Sequence, residues 1–122
     1  MDIKDTANIG LSSEMRAKLI EMQDNEIFNS MLDGYRLAVG IAIKHQLQVE
    51  HTSLPDRKNM YDVGGVDENF IFRNAIALIY PEQKGREYKY LEKLADVGVK
   101  FLYKNYDQNG SLDIRELLGN DP

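Results

Sequence analysis

Side chains that carry oxygen recur near the C-terminus at the spacing of the calcium loop of an EF-hand. In such a loop, side chains at positions one, three, five, nine and twelve and the backbone carbonyl at position seven surround the ion. The residues at those positions here are Asn105, Asp107, Asn109, Ser111, Asp113 and Glu116. The pattern predicts a calcium site in which Glu116 offers both carboxylate oxygens and Asp113 acts through a water molecule.

A plain turn between two helices is the alternative for the same segment. Asn105 is neutral at the first loop position, where aspartate is usual, and the sequence contains no second hand to pair with this one. Asparagine and aspartate tolerate tight turns, and Gly110 can supply a positive φ. The sequence therefore leaves two interpretations open, a weak calcium site and a polar turn.

The N-terminal segment holds a second set of candidate binding residues. Lys4, Thr6 and Asn8 lie on one face of an alternating pattern over residues 4–9, which predicts a short strand. A strand followed by two helices is the layout of ribbon-helix-helix proteins, which insert a two-stranded ribbon into the major groove of DNA. These three residue types can hydrogen-bond to base edges or phosphates. The net charge of −5 opposes phosphate binding, so we expect weak or no DNA binding by the isolated chain.

Catalytic patterns are missing from the sequence. There is no glycine-rich phosphate loop, no nucleophile elbow and no combination of acid, base and nucleophile. The two histidines, His45 and His51, are six residues apart at the end of a predicted helix and do not share a helical face. The absence of cysteine excludes disulfides and cysteine-ligated zinc or iron–sulfur sites. We therefore predict a protein that is not an enzyme.

The elements that would position these residues are mainly helices. Apolar spacing and capping residues predict a single domain over residues 1–122 with an all-α fold, a compact bundle of four helices plus a short C-terminal helix and a short N-terminal strand. The predicted helices span residues 13–23, 26–46, 68–80, 86–104 and 113–118. Residues 47–66 contain several breakers and either hide a short element or form a functional loop.

Small residues recur every four positions in the second predicted helix, at Gly34, Ala38 and Ala42. Such a stripe lets another helix approach closely, either within the chain or at an oligomer seam. The predicted helices also carry more apolar and tyrosine surface than a small bundle can enclose, which favours a homo-oligomer or a larger protein complex.

The sequence also indicates a location. No apolar run of signal-peptide length opens the chain, and the longest apolar stretch, residues 37–43, is far shorter than the roughly 20 residues of a membrane span. Together with the absence of cysteine, this favours the cytoplasm.

The order of several motifs resembles a known family over residues 11–102. The matching residues are Phe28-x-x-Met31-x-Asp33-Gly34-Tyr35-x-Leu37-Ala38, the apolar positions of residues 70–79, and Tyr90-Leu91-Glu92-x-Leu94-Ala95-Asp96-x-Gly98-Val99. The pattern is similar to the small helical proteins encoded beside bacterial DNA phosphorothioation (Dnd) systems. The resemblance implies a bacterial accessory protein of DNA modification or defence. It supplies no catalytic residues, and the calcium-like segment lies outside it.

Overall fold

The computed structural model of the protein describes residues 5–49 and 53–119. Helices dominate it, and two strands that are distant in sequence pair with each other. In chain order the elements are β1 (Asn8–Ser12), α1 (Ser13–Asp24), α2 (Met31–Lys44), β2 (Arg57–Asp62), α3 (Val63–Val66), α4 (Ile71–Ile79), a 3-10 turn (Pro81–Gln83), α5 (Glu87–Asn109) and α6 (Ile114–Leu117).

The prediction of an all-α bundle is wrong, because β1 and β2 form a two-stranded antiparallel sheet. The second strand lies inside the segment that looked irregular in the sequence. Most side chains of β2 are exposed, so the strand lacks the apolar alternation that would have predicted it. The first strand also begins later than predicted, at Asn8.

The longest helix, α5, organises the core. It packs against α2, α1, α4 and β1, with its most extensive contacts on α2. At the crossing with α2 the two backbones nearly touch, since a methyl group added to Gly98 would lie 2.1 Å from the carbonyl oxygen of Ala38. Ala38 and Ala42 are fully buried. The small-residue stripe therefore serves packing within the chain.

Helix α2 begins five residues later than predicted. The backbone turns through a left-handed conformation at Glu26, whose φ is 59°. Ser30 then caps the helix, because its side chain accepts a hydrogen bond from the backbone N–H of Asp33 at 3.1 Å. The apolar spacing of residues 26–46 continues across this interruption, so it predicted one unbroken helix.

The sheet is fastened to the helices at a β-bulge beside Gly10. The Tyr35 hydroxyl donates to the Gly10 carbonyl at 2.9 Å, and Glu92 accepts a hydrogen bond from the Gly10 backbone. A methyl group at this position would lie 1.7 Å from the Lys58 carbonyl oxygen, so only glycine fits. Burial raises the pKa of Tyr35 well above its usual value.

A buried aspartate anchors the start of α4. The Asp67 carboxylate accepts hydrogen bonds from the backbone N–H groups of Phe72 and Arg73, each at 3.0 Å. The same carboxylate accepts from the Tyr88 hydroxyl of α5 at 3.0 Å. Burial and this hydrogen bond raise the pKa of Tyr88 to about 12. In residues 5–49 and 53–119, no helix has the length and apolar character needed to cross a membrane.

Candidate nucleic-acid interface

Four lysines of α5 form a stripe along one side of the helix, which we call the lysine face: Lys89, Lys93, Lys100 and Lys104. With 100° of rotation per residue, they fall within about 60° of one another around the helix axis, over a length of about 22 Å. Three of the four side chains are exposed and Lys93 is half-buried. The stripe is a local concentration of positive charge on an acidic protein.

Two open hollows border the lysine face and meet at Lys93. The first, of about 420 Å³, is lined by Thr6, Asn8, Arg57, Lys89 and Lys93 together with four other residues. The second, of about 370 Å³, lies beside the start of α1 and adds Lys18 and Lys100 to Lys93. The basic groups of three elements, α1, β2 and α5, therefore converge on one region.

Four acidic groups share this region. Glu14 and Asp56 line the second hollow, are exposed, and pair with Lys18 and Lys58. The other two, Glu92 and Asp96, are engaged by the fold.

Arg57 forms a close ion pair with Glu92, and burial of that carboxyl raises its pKa even beside the guanidinium. Asp96 accepts hydrogen bonds from the backbone N–H and the hydroxyl of Ser12, at 2.8 and 2.9 Å. At the C-terminal end the stripe is bounded by the exposed Asp107.

The structure places two of the three predicted DNA-contacting residues beside the lysine face. Thr6 and Asn8 line the first hollow, and Lys4 lies outside the described residues. The Thr6 hydroxyl donates to the Asn8 carbonyl at 2.7 Å, so it is held in a local turn. In residues 5–49 and 53–119, β1 pairs with β2 of the same chain, whereas the strand of a ribbon-helix-helix protein pairs with a second copy. Four of the five residues of β1 are buried and the strand pairs with β2, so it cannot be the strand that enters a groove.

The predicted calcium ligands are not brought together. Asn105, Asp107 and Asn109 belong to the last two turns of α5, where Asn105 and Asn109 share one side and Asp107 points about 160° away from both. The Asn105 amide donates to the Phe101 carbonyl and the Asn109 amide donates to the Asn105 carbonyl, so both extend helical hydrogen bonding.

The later positions of the same segment follow the end of that helix. Gly110 ends it with a φ of 71°, as a glycine cap does. Ser111 is exposed, and Asp113 caps α6 by accepting a hydrogen bond from the backbone N–H of Glu116 at 3.1 Å. In residues 5–49 and 53–119, no three histidine, aspartate or glutamate side chains lie close enough to hold a metal ion. Calcium binding stays a prediction of the sequence pattern.

A melting experiment tests the calcium prediction. Ion binding would require the helix to unwind from Asn105 to Asn109, which gives up the hydrogen bonds described above. We therefore expect the same melting temperature in 1 mM calcium and in chelator, for the parent and for Glu116→Gln. A calcium-dependent rise in the parent that Glu116→Gln abolishes would show instead that the EF-hand loop forms.

The lysine face was not predicted from the sequence, because the net charge of −5 argued against a basic binding surface. The spacing of the four lysines nevertheless predicts it, because residues at intervals of four, seven and four lie on one side of a helix. Arg57 and Lys18 could not have been predicted to join it, because only the fold packs α1 against α5 and pairs Arg57 of β2 with Glu92 of α5.

Comparisons with known proteins gave no relative. No protein-family model matches the chain, and neither a curated protein nor a solved structure is significantly similar to it.

Proposed function

We propose that this chain is a non-enzymatic, cytoplasmic accessory protein that binds the phosphate backbone of DNA through the lysine face while it acts within a protein complex. The observation that carries the proposal is the convergence of basic side chains from three elements on the two hollows beside α5. The resemblance to small proteins encoded beside bacterial Dnd systems favours a role in DNA modification or defence.

The side chains of the lysine face are suited to binding phosphate groups. Lysine ammonium groups are point charges that neutralise phosphates and release condensed counterions, which drives association without reading the base sequence. Asn8, exposed at the rim of the first hollow, can add a hydrogen bond to a phosphate or sugar. A row of positive groups about 22 Å long spans several consecutive phosphates of a duplex, which follow one another roughly every 3.4 Å of helix axis on each strand.

The affinity of the isolated chain should be low. Only a few phosphates can be neutralised by the lysine face, and the net charge of −5 repels the rest of the duplex. Non-specific binding of this kind has dissociation constants of about 10⁻⁴ to 10⁻⁶ M at physiological salt. Within a complex, a second contact to DNA made by another subunit would raise the effective affinity.

Fluorescence anisotropy of a labelled duplex, measured over a series of salt concentrations, tests this proposal. We expect the logarithm of the binding constant to fall linearly with the logarithm of the salt concentration. The double variant Lys89→Gln with Lys93→Gln should bind more weakly and reduce the slope by about two, since each lost phosphate contact lowers it by about one.

The double variant Lys44→Gln with Lys84→Gln provides the matched control. Both lysines are exposed and line neither hollow, so the same loss of two positive charges should leave the slope nearly unaltered. Equal effects of the two double variants would mean that only net charge matters. Absence of binding at 20 mM salt would refute the proposal.

A further inference from the structure

One side of α4 carries large apolar side chains that no part of the described chain covers. Leu78 is 82% exposed, Ile71 is 67% exposed, and Phe70 and Ile79 are about half exposed. Only Ile76 of this helix is fully buried against the core. We call the four exposed residues the apolar α4 face.

The apolar area of this face can be compared with the area that a protein interface buries. Side chains of this kind, exposed to this degree, present on the order of 500 Å² of contiguous apolar area, at the upper end of what monomers leave in water. A standard protein interface buries about 800 Å² per partner, of which roughly 60% is apolar. The apolar α4 face is thus about as large as the apolar area that one partner contributes to such an interface.

The arrangement of the residues fits a second copy of the same helix. Ile71 and Leu78 lie seven positions apart, two turns along one side, with the small residue Ala75 between them. When two such helices pack antiparallel about a two-fold axis near Ala75, Leu78 of each copy comes against Ile71 of the other. The alanines at the crossing allow the backbones to approach closely.

The surroundings of α4 complement this packing. A hollow of about 260 Å³ at the start of the helix is lined by three apolar residues and by four polar or charged ones, so it can form part of the polar rim of the contact. The lining residues are Val66, Ile71, Phe72, Arg36, Asp67, Glu68 and Asn69. The charged residue of the helix, Arg73, lies at the edge of the face, where its guanidinium group sits 5.7 Å from the ring centre of Phe70, away from Ala75 at the crossing. No charge would therefore be buried at the centre of the contact.

From these observations we infer that the chain forms a two-fold symmetric homodimer through antiparallel packing of its apolar α4 face. This inference does not depend on DNA binding by the lysine face, because the two surfaces are made of different residues.

Sedimentation equilibrium measures the dimer directly. The wild-type chain should sediment at twice 14.0 kDa, with a dissociation constant in the micromolar range or tighter. Leu78→Lys places a charge in the middle of the contact, and we expect it to weaken self-association by at least 30-fold, as hot-spot changes do. Because Leu78 is so exposed, the variant should fold, and at concentrations where the wild type is monomeric the two should melt at the same temperature.

Gln108→Lys is the matched control, since it adds the same charge at an exposed position of α5 and should leave the dimer intact. The absence of native cysteine permits a second test by disulfide formation. Ala75→Cys should cross-link two copies under mild oxidation, because residues at the two-fold crossing come within disulfide range, whereas Ala77→Cys should not.

Three results would each overturn the inference. The first is a single species of 14.0 kDa at every concentration up to the millimolar range. The second is a dimer that Leu78→Lys leaves unchanged, which would place the interface elsewhere. The third is equal cross-linking at positions 75 and 77, which is incompatible with an axis near Ala75.

Discussion

Alanine in place of Gly98 is expected to lower the free energy of unfolding by about 3 kcal/mol, the upper range for overpacked cores. The added methyl group would lie 2.1 Å from the carbonyl oxygen of Ala38, so the atom that has to move belongs to the backbone of α2. A flexible side chain could rotate away from the added methyl group, but the backbone of α2 cannot. The two longest helices, α2 and α5, must therefore separate. Urea denaturation followed by circular dichroism would measure the loss.

Gly40→Ala supplies the control on the helix that faces Gly98. The same methyl group added there meets no atom within 4 Å. Alanine costs less conformational entropy than glycine in a helix interior, so this variant should be more stable than the wild type by about 0.5–1 kcal/mol. Opposite signs for the two substitutions would locate the effect at the crossing of α2 and α5. Equal effects would contradict the packing described here.

Replacement of Arg57 by methionine is the second change from which we expect a large effect. Its guanidinium group pairs with Glu92, whose side chain is about 10% exposed, and also donates to the Asn8 carbonyl at 3.0 Å. Loss of one partner of a buried pair leaves an uncompensated charge and costs about 3–5 kcal/mol. We expect the free energy of unfolding of Arg57→Met to be lower than that of the wild type by about 3 kcal/mol at pH 7. This deficit is at the low end of the range because the arginine side of the pair is open to water.

The size of this deficit should depend on pH in a defined direction. Burial already raises the pKa of Glu92 above its ordinary value of 4.5, and removal of Arg57 should raise it further. For a carboxyl group whose pKa is higher in the folded state, stability is greatest when the group is protonated. It is lost as the pH rises from the unfolded pKa through the folded one. The deficit of Arg57→Met should therefore be smaller at pH 4 than at pH 7.

Lys58→Met is the control for this experiment. Lys58 is the next residue of β2 and forms an exposed pair with Asp56 at 3.6 Å, which contributes at most about 1 kcal/mol. Its effect should be small and nearly the same at both pH values. An Arg57→Met deficit that does not change with pH would show that lost packing, and not the charge of Glu92, dominates.

Local signals in the sequence predicted where two of the helices begin. The start of α1 follows from Ser12 as a cap, and α5 begins one residue after the predicted position. The end of α5 was misjudged, because asparagine and aspartate from Asn105 to Asn109 suggested a turn. In the structure the two asparagine amides bond to carbonyls four residues earlier, and the helix continues to Gly110.

The sheet could not be predicted in the same way. The partner of Asn8 is Asp62, and α1 and α2 lie between them, so no local pattern reports the pairing. The exposed side chains of β2 give no apolar alternation. For the same reason the candidate interface was predicted only in part. Thr6 and Asn8 were identified, but Arg57 reaches them only through the sheet.

The pairing of β1 with β2 has a consequence for how the chain folds during synthesis. Ile9 and Leu11 of β1 are completely buried in the finished protein, yet their partners in β2 and α5 are made much later. A growing chain that ends before Glu87 therefore keeps its first strand unpaired or only half covered, with apolar side chains in water. Stable structure should appear in one late step, when α5 leaves the ribosome, and chains cut short before that helix should be substrates for chaperones or proteases.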